Sequence, residues 1–166
     1  MSKEKHTYTK AKNVIPKQTG FIISNPSHKG INDNLQLLRI TVTNIETKVD
    51  FGYQATSYYI KGGWIKISQH TFIRVNETNR KLLLTNATNI PYGPEKLHFN
   101  SSMEWRYFSL HFPSILELEN KRTLDSIGES SLIKTIDLIE KENGTENEFN
   151  FYGIRLDDES KKTMIY

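Results

Sequence analysis

Cysteine is absent from this chain. Disulfide staples, thiolate zinc sites and cysteine nucleophiles are therefore excluded. Charge of one sign is lacking too: 22 basic residues stand against 19 acidic ones, a net of +3. So mild an excess is not the footprint of a nucleic-acid-binding surface. Much of it sits in Lys3, Lys5, Lys10, Lys12 and Lys17, offset only by Glu4. That stretch has no apolar face and almost no aromatics, so it reads as a solvated N-terminal end. No apolar run is long enough to span a bilayer. Met1 to Lys5 carries charge without a following apolar stretch, so no signal peptide is legible there.

Catalytic motifs are missing as well. His6, His28, His70, His98 and His111 form no His-X-His or His-Glu-X-X-His spacing. A turn at Asn100 to Met103 is expected to set His98 opposite Trp105 or Arg106 and His111 near Tyr92, too far apart for one metal. No segment has the alternating acidic residues and glycine turn of a calcium loop. No serine lies in a Gly-X-Ser-X-Gly elbow. Gly62-Gly63 precedes no helix with Lys-Ser/Thr, so it cradles no phosphate. No catalytic, cofactor-binding or metal-ligating residue is assigned, and no cofactor is expected.

What is present is period-two alternation. Leu38, Ile40 and Val42 alternate with polar neighbours, a turn follows through Asn44 to Thr47, and Val49, Phe51 and Tyr53 alternate again. This is a hairpin with one oily and one wet face. Phe21 to Ile23, Trp64 to Ile67, Thr71 to Val75, Lys81 to Thr85, Tyr107 to Phe112, Ile133 to Glu140 and Phe149 to Leu156 read as further strands. Pro91 and Pro94 mark a loop, since proline removes ladder donors. No helices alternate with the strands, which argues against a parallel α/β sheet. The fold expected is all-β: a single antiparallel β-sandwich with one short helical or irregular insertion near 115–131.

The expected organisation is a flexible N-terminal segment (1–18), a sandwich domain (19–156) and a charged C-terminal tail (157–166). In the closing strand, Phe149 and Phe151 are placed on one side with Gly153, and Asn150, Tyr152 and Ile154 on the other. Apolar bulk on both sides predicts a central strand.

Aromatics make up 11% of the chain. Tyr58, Tyr59, Trp64 and Tyr92 lie in or beside Gly- and Pro-rich loops, where exposed rings can stack on sugars or pack on a protein. They are the candidate ligand or partner contacts. Trp105 is expected in the core or covering an edge.

Four segments occur in order: Ile60-Lys61-Gly62-Gly63-Trp64-Ile65-Lys66-Ile67, Ile90-Pro91-Tyr92-Gly93-Pro94-Glu95-Lys96, Ile136-Asp137-Leu138-Ile139-Glu140 and Phe149-Asn150-Phe151-Tyr152-Gly153-Ile154. This set resembles a β-sandwich domain common in exported proteins of the Bacteroidetes, over about Leu38 to Leu156. Phe149 stands where that family often has Trp, and Leu116 to Ser131 is longer than the family's passage between strands. The resemblance implies an immunoglobulin-like, extracytoplasmic sandwich and no chemistry.

The expected function is a non-enzymatic binding or accessory module of the bacterial cell envelope, with a protein or glycan partner, no nucleic acid and no membrane span. Two alternatives are weighed beside it. One is a hydrolase with dispersed carboxylates, such as Glu95 with Glu104, on the β-scaffold. The other is a cytoplasmic immunity or inhibitor protein acting by an exposed edge strand.

Overall fold

The computed structural model describes residues 18–30, 33–116, 133–142 and 149–166. Its strands, in chain order, are β1 (Gly20–Ser24), β2 (Leu35–Thr43), β3 (Glu46–Gln54), β4 (Trp64–Ile65), β5 (Phe72–Val75), β6 (Arg80–Leu83), β7 (Asn86–Thr88), β8 (Leu97–His98), β9 (Trp105–Pro113), β10 (Thr135–Ile139), β11 (Phe151–Arg155) and β12 (Lys162–Ile165). A six-stranded sheet has the order β12-β1-β2-β3-β9-β7, and a four-stranded sheet the order β11-β10-β5-β6. β4 and β8 form a separate two-stranded ribbon. Every pairing within these sheets is antiparallel. The all-β, antiparallel sandwich expected from alternation is what the chain builds.

The two sheets face each other across one apolar core. Ile40, Val42, Val49, Phe51, Phe108, Leu110 and Phe112 contribute from the larger sheet, and Ile73, Val75, Ile136, Leu138, Phe151 and Ile154 from the smaller. Phe51 stacks on Phe108 at 5.0 Å beside it and meets Phe151 of the opposite sheet at 5.6 Å. Burying each such ring contributes about 1.5–3 kcal/mol. The buried hydroxyls of Thr43, Thr47 and Ser114 are paired, as burial demands. Thr43 Oγ1 accepts from Glu46 N at 3.1 Å in the β2–β3 turn. Thr47 Oγ1 accepts from Ile115 N at 3.1 Å, and the Ser114 hydroxyl donates to the Thr43 carbonyl, so the chain leaving β9 is pinned to that turn.

Two bulges break the period of two. In β2 the register shifts between Leu37 and Arg39. Leu35, Leu37, Ile40 and Val42 are all buried, while Leu38 and Arg39 both point outward. Leu38 therefore does not share a face with Ile40, as plain alternation predicted. In β11 the shift lies between the pairs Ile136–Ile154 and Leu138–Phe151. Gly153 adopts φ +57°, a left-handed turn of the strand that glycine takes without strain. Phe151 and Ile154 consequently both face the core, correcting the expected division of that strand's sides.

β11 is also not central. It is the edge of the smaller sheet, and the stretch between β1 and β2 covers it. Lys29 and Tyr152 exchange backbone bonds of 2.8 and 3.2 Å, and Arg155 N donates to the Ser27 carbonyl at 2.9 Å. This crossing segment ties one sheet to the other.

The charged tail expected at 157–166 is instead part of the domain. Asp158 caps a single 3₁₀ turn at Glu159–Lys161 by accepting from Ser160 N. β12 then pairs with β1 from Gly20–Ile165 to Ile23–Lys162. Its sparse apolar content concealed it, because an edge strand needs only one partly covered face. Ile115 and Leu116 are helical. The rest of the expected insertion near 115–131, and the N-terminal segment apart from Gln18, lie outside the described residues.

Candidate functional site

The loop joining β3 to β4 carries Tyr58 and Tyr59, and Trp64 follows it. Its start is fixed by the buried Ala55, whose N–H donates to the Glu104 carbonyl at 2.7 Å and whose carbonyl accepts from Met103 N at 3.2 Å. Its end turns on Gly62 and Gly63, at φ +82° and +78°. A Cβ on Gly62 would sit 2.5 Å from the Ser101 carbonyl oxygen, so only glycine lets the loop close there. A Cβ on Gly63 would sit 3.2 Å from the Tyr59 ring, which lies against that glycine. Tyr58 meets Tyr59 edge-on at 5.0 Å. Tyr58 is 85% exposed, Tyr59 57% and Ile60 95%.

Trp64 is 44% exposed, while Ile65 and Ile67 on the opposite side are buried, as alternation required. Lys96 Nζ lies 4.2 Å and Lys66 Nζ 5.5 Å from the Trp64 ring centroid. The ring's negative face attracts both ammonium groups, each contact worth about 0.5–1 kcal/mol at an exposed site. Together Tyr58, Tyr59, Trp64 and Lys66 border an open groove that Lys81, Glu140 and Glu142 also line.

Tyr92 is not with them. It forms a parallel bridge to Ile67 and packs, partly buried, against the core. The loop prolines that suggested exposure instead hold its backbone between the Ile67 N–H, which donates to Pro91 O, and the Ile67 carbonyl, which accepts from Gly93 N.

Two carboxylates of the groove, Glu140 and Glu142, are engaged by backbone or cations. Glu142 accepts from Lys81 at 2.7 Å and from Arg74 at 3.2 Å. Lys81 first, and Arg74 after it, hold its carboxyl below the ordinary value. Glu140 Oε2 accepts from Ser68 N at 3.2 Å. Glu104 accepts from Asn100 N and pairs with Arg106, both at 3.0 Å, while Glu95 is exposed in the proline loop. Among the described residues, no group of three or more His, Asp or Glu is placed to hold a metal ion.

The expected placement of two histidines is corrected. β8 pairs with β4, so His98 lies opposite Trp64 rather than Trp105. β7 lies beside β9, so His111 faces Asn86 rather than Tyr92. Its ring bonds Glu46 at 3.0 Å and Thr88 at 2.9 Å. Trp105 is likewise not a core ring. It is 41% exposed on the outer face of the larger sheet, two residues from Tyr107 at 62%. The signal was available in β9, where Trp105, Tyr107, Ser109 and His111 share the parity opposite to Phe108, Leu110 and Phe112.

Fold and surface thus define an antiparallel β-sandwich with solvent-facing aromatic rings. Comparison with family models, curated proteins and solved structures finds no match for this chain. Among the described residues, no helix is long and apolar enough to cross a membrane.

Proposed function

We propose that this chain is a non-enzymatic binding module of the bacterial cell envelope, an immunoglobulin-like sandwich that holds a protein or glycan through its β3–β4 loop. The observation that carries the reading is the loop itself. Tyr58, Tyr59 and Ile60 are presented to solvent by a backbone tied down at Ala55, Gly62 and Gly63. Large apolar side chains so exposed contribute little to folding, and aromatic rings of this kind anchor interfaces once covered. The basic, aromatic spot at Trp64, Lys66 and Lys96 borders the same loop.

The test is co-sedimentation of the purified protein with envelope fragments from a Bacteroidetes bacterium. The wild-type chain is expected in the pellet. The double variant Tyr58→Ala/Tyr59→Ala is expected in the supernatant with an unchanged unfolding midpoint. Equal partition of the two proteins overturns the reading, as does unfolding of the variant.

A further inference from the structure

The outer face of the larger sheet holds a second aromatic feature, built differently. Trp105 and Tyr107 project from β9 with ring planes 13° from parallel and centroids 6.4 Å apart. Across the ladder, Tyr107 is paired with Gly52 of β3. A Cβ at Gly52 would lie 3.3 Å from Tyr107 Cε1, 3.4 Å from Trp105 Cζ3 and 3.5 Å from Leu38 Cδ1. The two rings and Leu38 therefore close over the bare backbone of Gly52. The β2 bulge supplies this arrangement, because it turns Leu38 and Arg39 to the same outer side.

Beside the rings lies a charged, hydrogen-bonding cluster. Asp50 accepts from Arg39 Nε at 2.8 Å and from the Ser109 hydroxyl at 2.6 Å, and Lys48 Nζ is 3.5 Å away. Arg39 remains half exposed, at 50%. Asp50 thereby orients a guanidinium at the border of an apolar surface.

We infer that this face binds a pyranose ring of an oligosaccharide, stacked on Trp105 and Tyr107, with hydroxyls reaching Arg39. A sugar ring has an apolar C–H face and a polar rim, which matches a small aromatic surface bordered by a fixed cation. The exposed ring area matches one sugar ring more closely than a protein interface. Exposures of 41% and 62% applied to side chains of about 150–250 Å² each give roughly 150–260 Å² of ring surface. A stable interface covers about 800 Å² per partner. Neither Trp105 nor Tyr107 lines the groove that the loop tyrosines border.

The chain has two tryptophans, so Trp64→Phe leaves Trp105 as the sole indole reporter. Its emission is followed while xylohexaose, cellohexaose, mannohexaose and maltohexaose are added in turn. At least one is expected to give a saturable shift. Tyr107→Ala in that background is expected to bind about tenfold more weakly, the loss of one stacking contact. Tyr107→Phe keeps the ring and is expected to retain binding. Tyr58→Ala/Tyr59→Ala is expected to leave the titration unchanged, which separates this site from the loop. The inference is overturned if no oligosaccharide shifts the emission, or if the shift survives Tyr107→Ala. It is also overturned if the shift vanishes with the loop tyrosines, or if sedimentation shows a dimer that buries Trp105 instead.

Discussion

The rings of the β3–β4 loop and those of the outer sheet face are exposed to overlapping degrees, yet their supports differ. Tyr58 and Tyr59 lean on one another and on Gly63, on a loop held at its ends. Trp105 and Tyr107 stand on a strand paired without interruption from Glu46–Pro113 to Gln54–Trp105. The loop rings rest on a turn fixed at its ends, whereas the strand rings rest on a continuous ladder that holds every residue beneath them. Fractional exposure alone therefore does not describe a binding surface; the backbone beneath each ring decides what it can hold.

The sharpest contrast lies within β9. Phe108→Ala, on the inward parity, is expected to cost about 3–5 kcal/mol by emptying the space shared with Phe51 and Phe149. Trp105→Ala, on the outward parity, is expected to cost under about 1 kcal/mol. Urea unfolding measures both, and similar losses would collapse the distinction between core and face.

Next in size, Gly62→Ala forces a side chain into a left-handed position 2.5 Å from the Ser101 oxygen. A loss of about 1–3 kcal/mol is expected, with the loop displaced and Trp105 emission unaffected in a Trp64→Phe background. A shifted Trp105 emission would show that loop and face are coupled.

Smaller effects separate the loop tyrosines from Tyr92. Tyr92→Ala is expected to lower stability by about 1–2 kcal/mol, since its ring packs on the core. Tyr59→Ala should stay within about 0.5 kcal/mol. Thermal melts of the pair test this, and the reverse order would remove Tyr59 from the candidate contacts.

The smallest effect is electrostatic. Burial raises the Asp50 pKa, but the Ser109 hydroxyl, Arg39 and Lys48 outweigh it and hold the carboxyl below 3.8. A depressed folded value stabilises the protein fully above the unfolded value and loses that contribution as pH falls through the folded one. Asp50→Asn should therefore remove about 1 kcal/mol or less at neutral pH. It should also flatten the fall in stability below about pH 3.8, measured by urea unfolding across that range. An undiminished acid slope would mean that Asp50 is not what anchors Arg39.

Much of this architecture was legible in the residues, and the misses share a cause. Alternation located the β2–β3 hairpin, β5, β9 and β10 because each contains a run in which every second side chain is buried. It failed wherever an extra residue or an edge position intervened. The bulges at Leu38–Arg39 and Tyr152–Gly153 bring residues of opposite parity to one face, and no count of two reveals that. β12 has too little apolar content to signal itself. Of the candidate contacts, Tyr58, Tyr59 and Trp64 are exposed beside the glycines that singled them out in the sequence. Tyr92 was misjudged because a proline loop can lie against a core as readily as in solvent. The outward parity of Trp105 and Tyr107 was legible in β9, but the bare Gly52 beneath their rings is placed there only by strand pairing.

The β2 bulge has a consequence for how this gene can vary. A strand of strict period two tolerates no single-codon change in length, since every downstream side chain would swap sides. Here the surplus residue is already stored at Leu38–Arg39. Losing the codon for Leu38 would return the strand to regular pairing, with Leu35, Leu37, Ile40 and Val42 still inward. The outer surface is thus editable in length at one point where the core beneath it is not. A shorter relative would keep the sandwich while surrendering the apolar border of the ring pair.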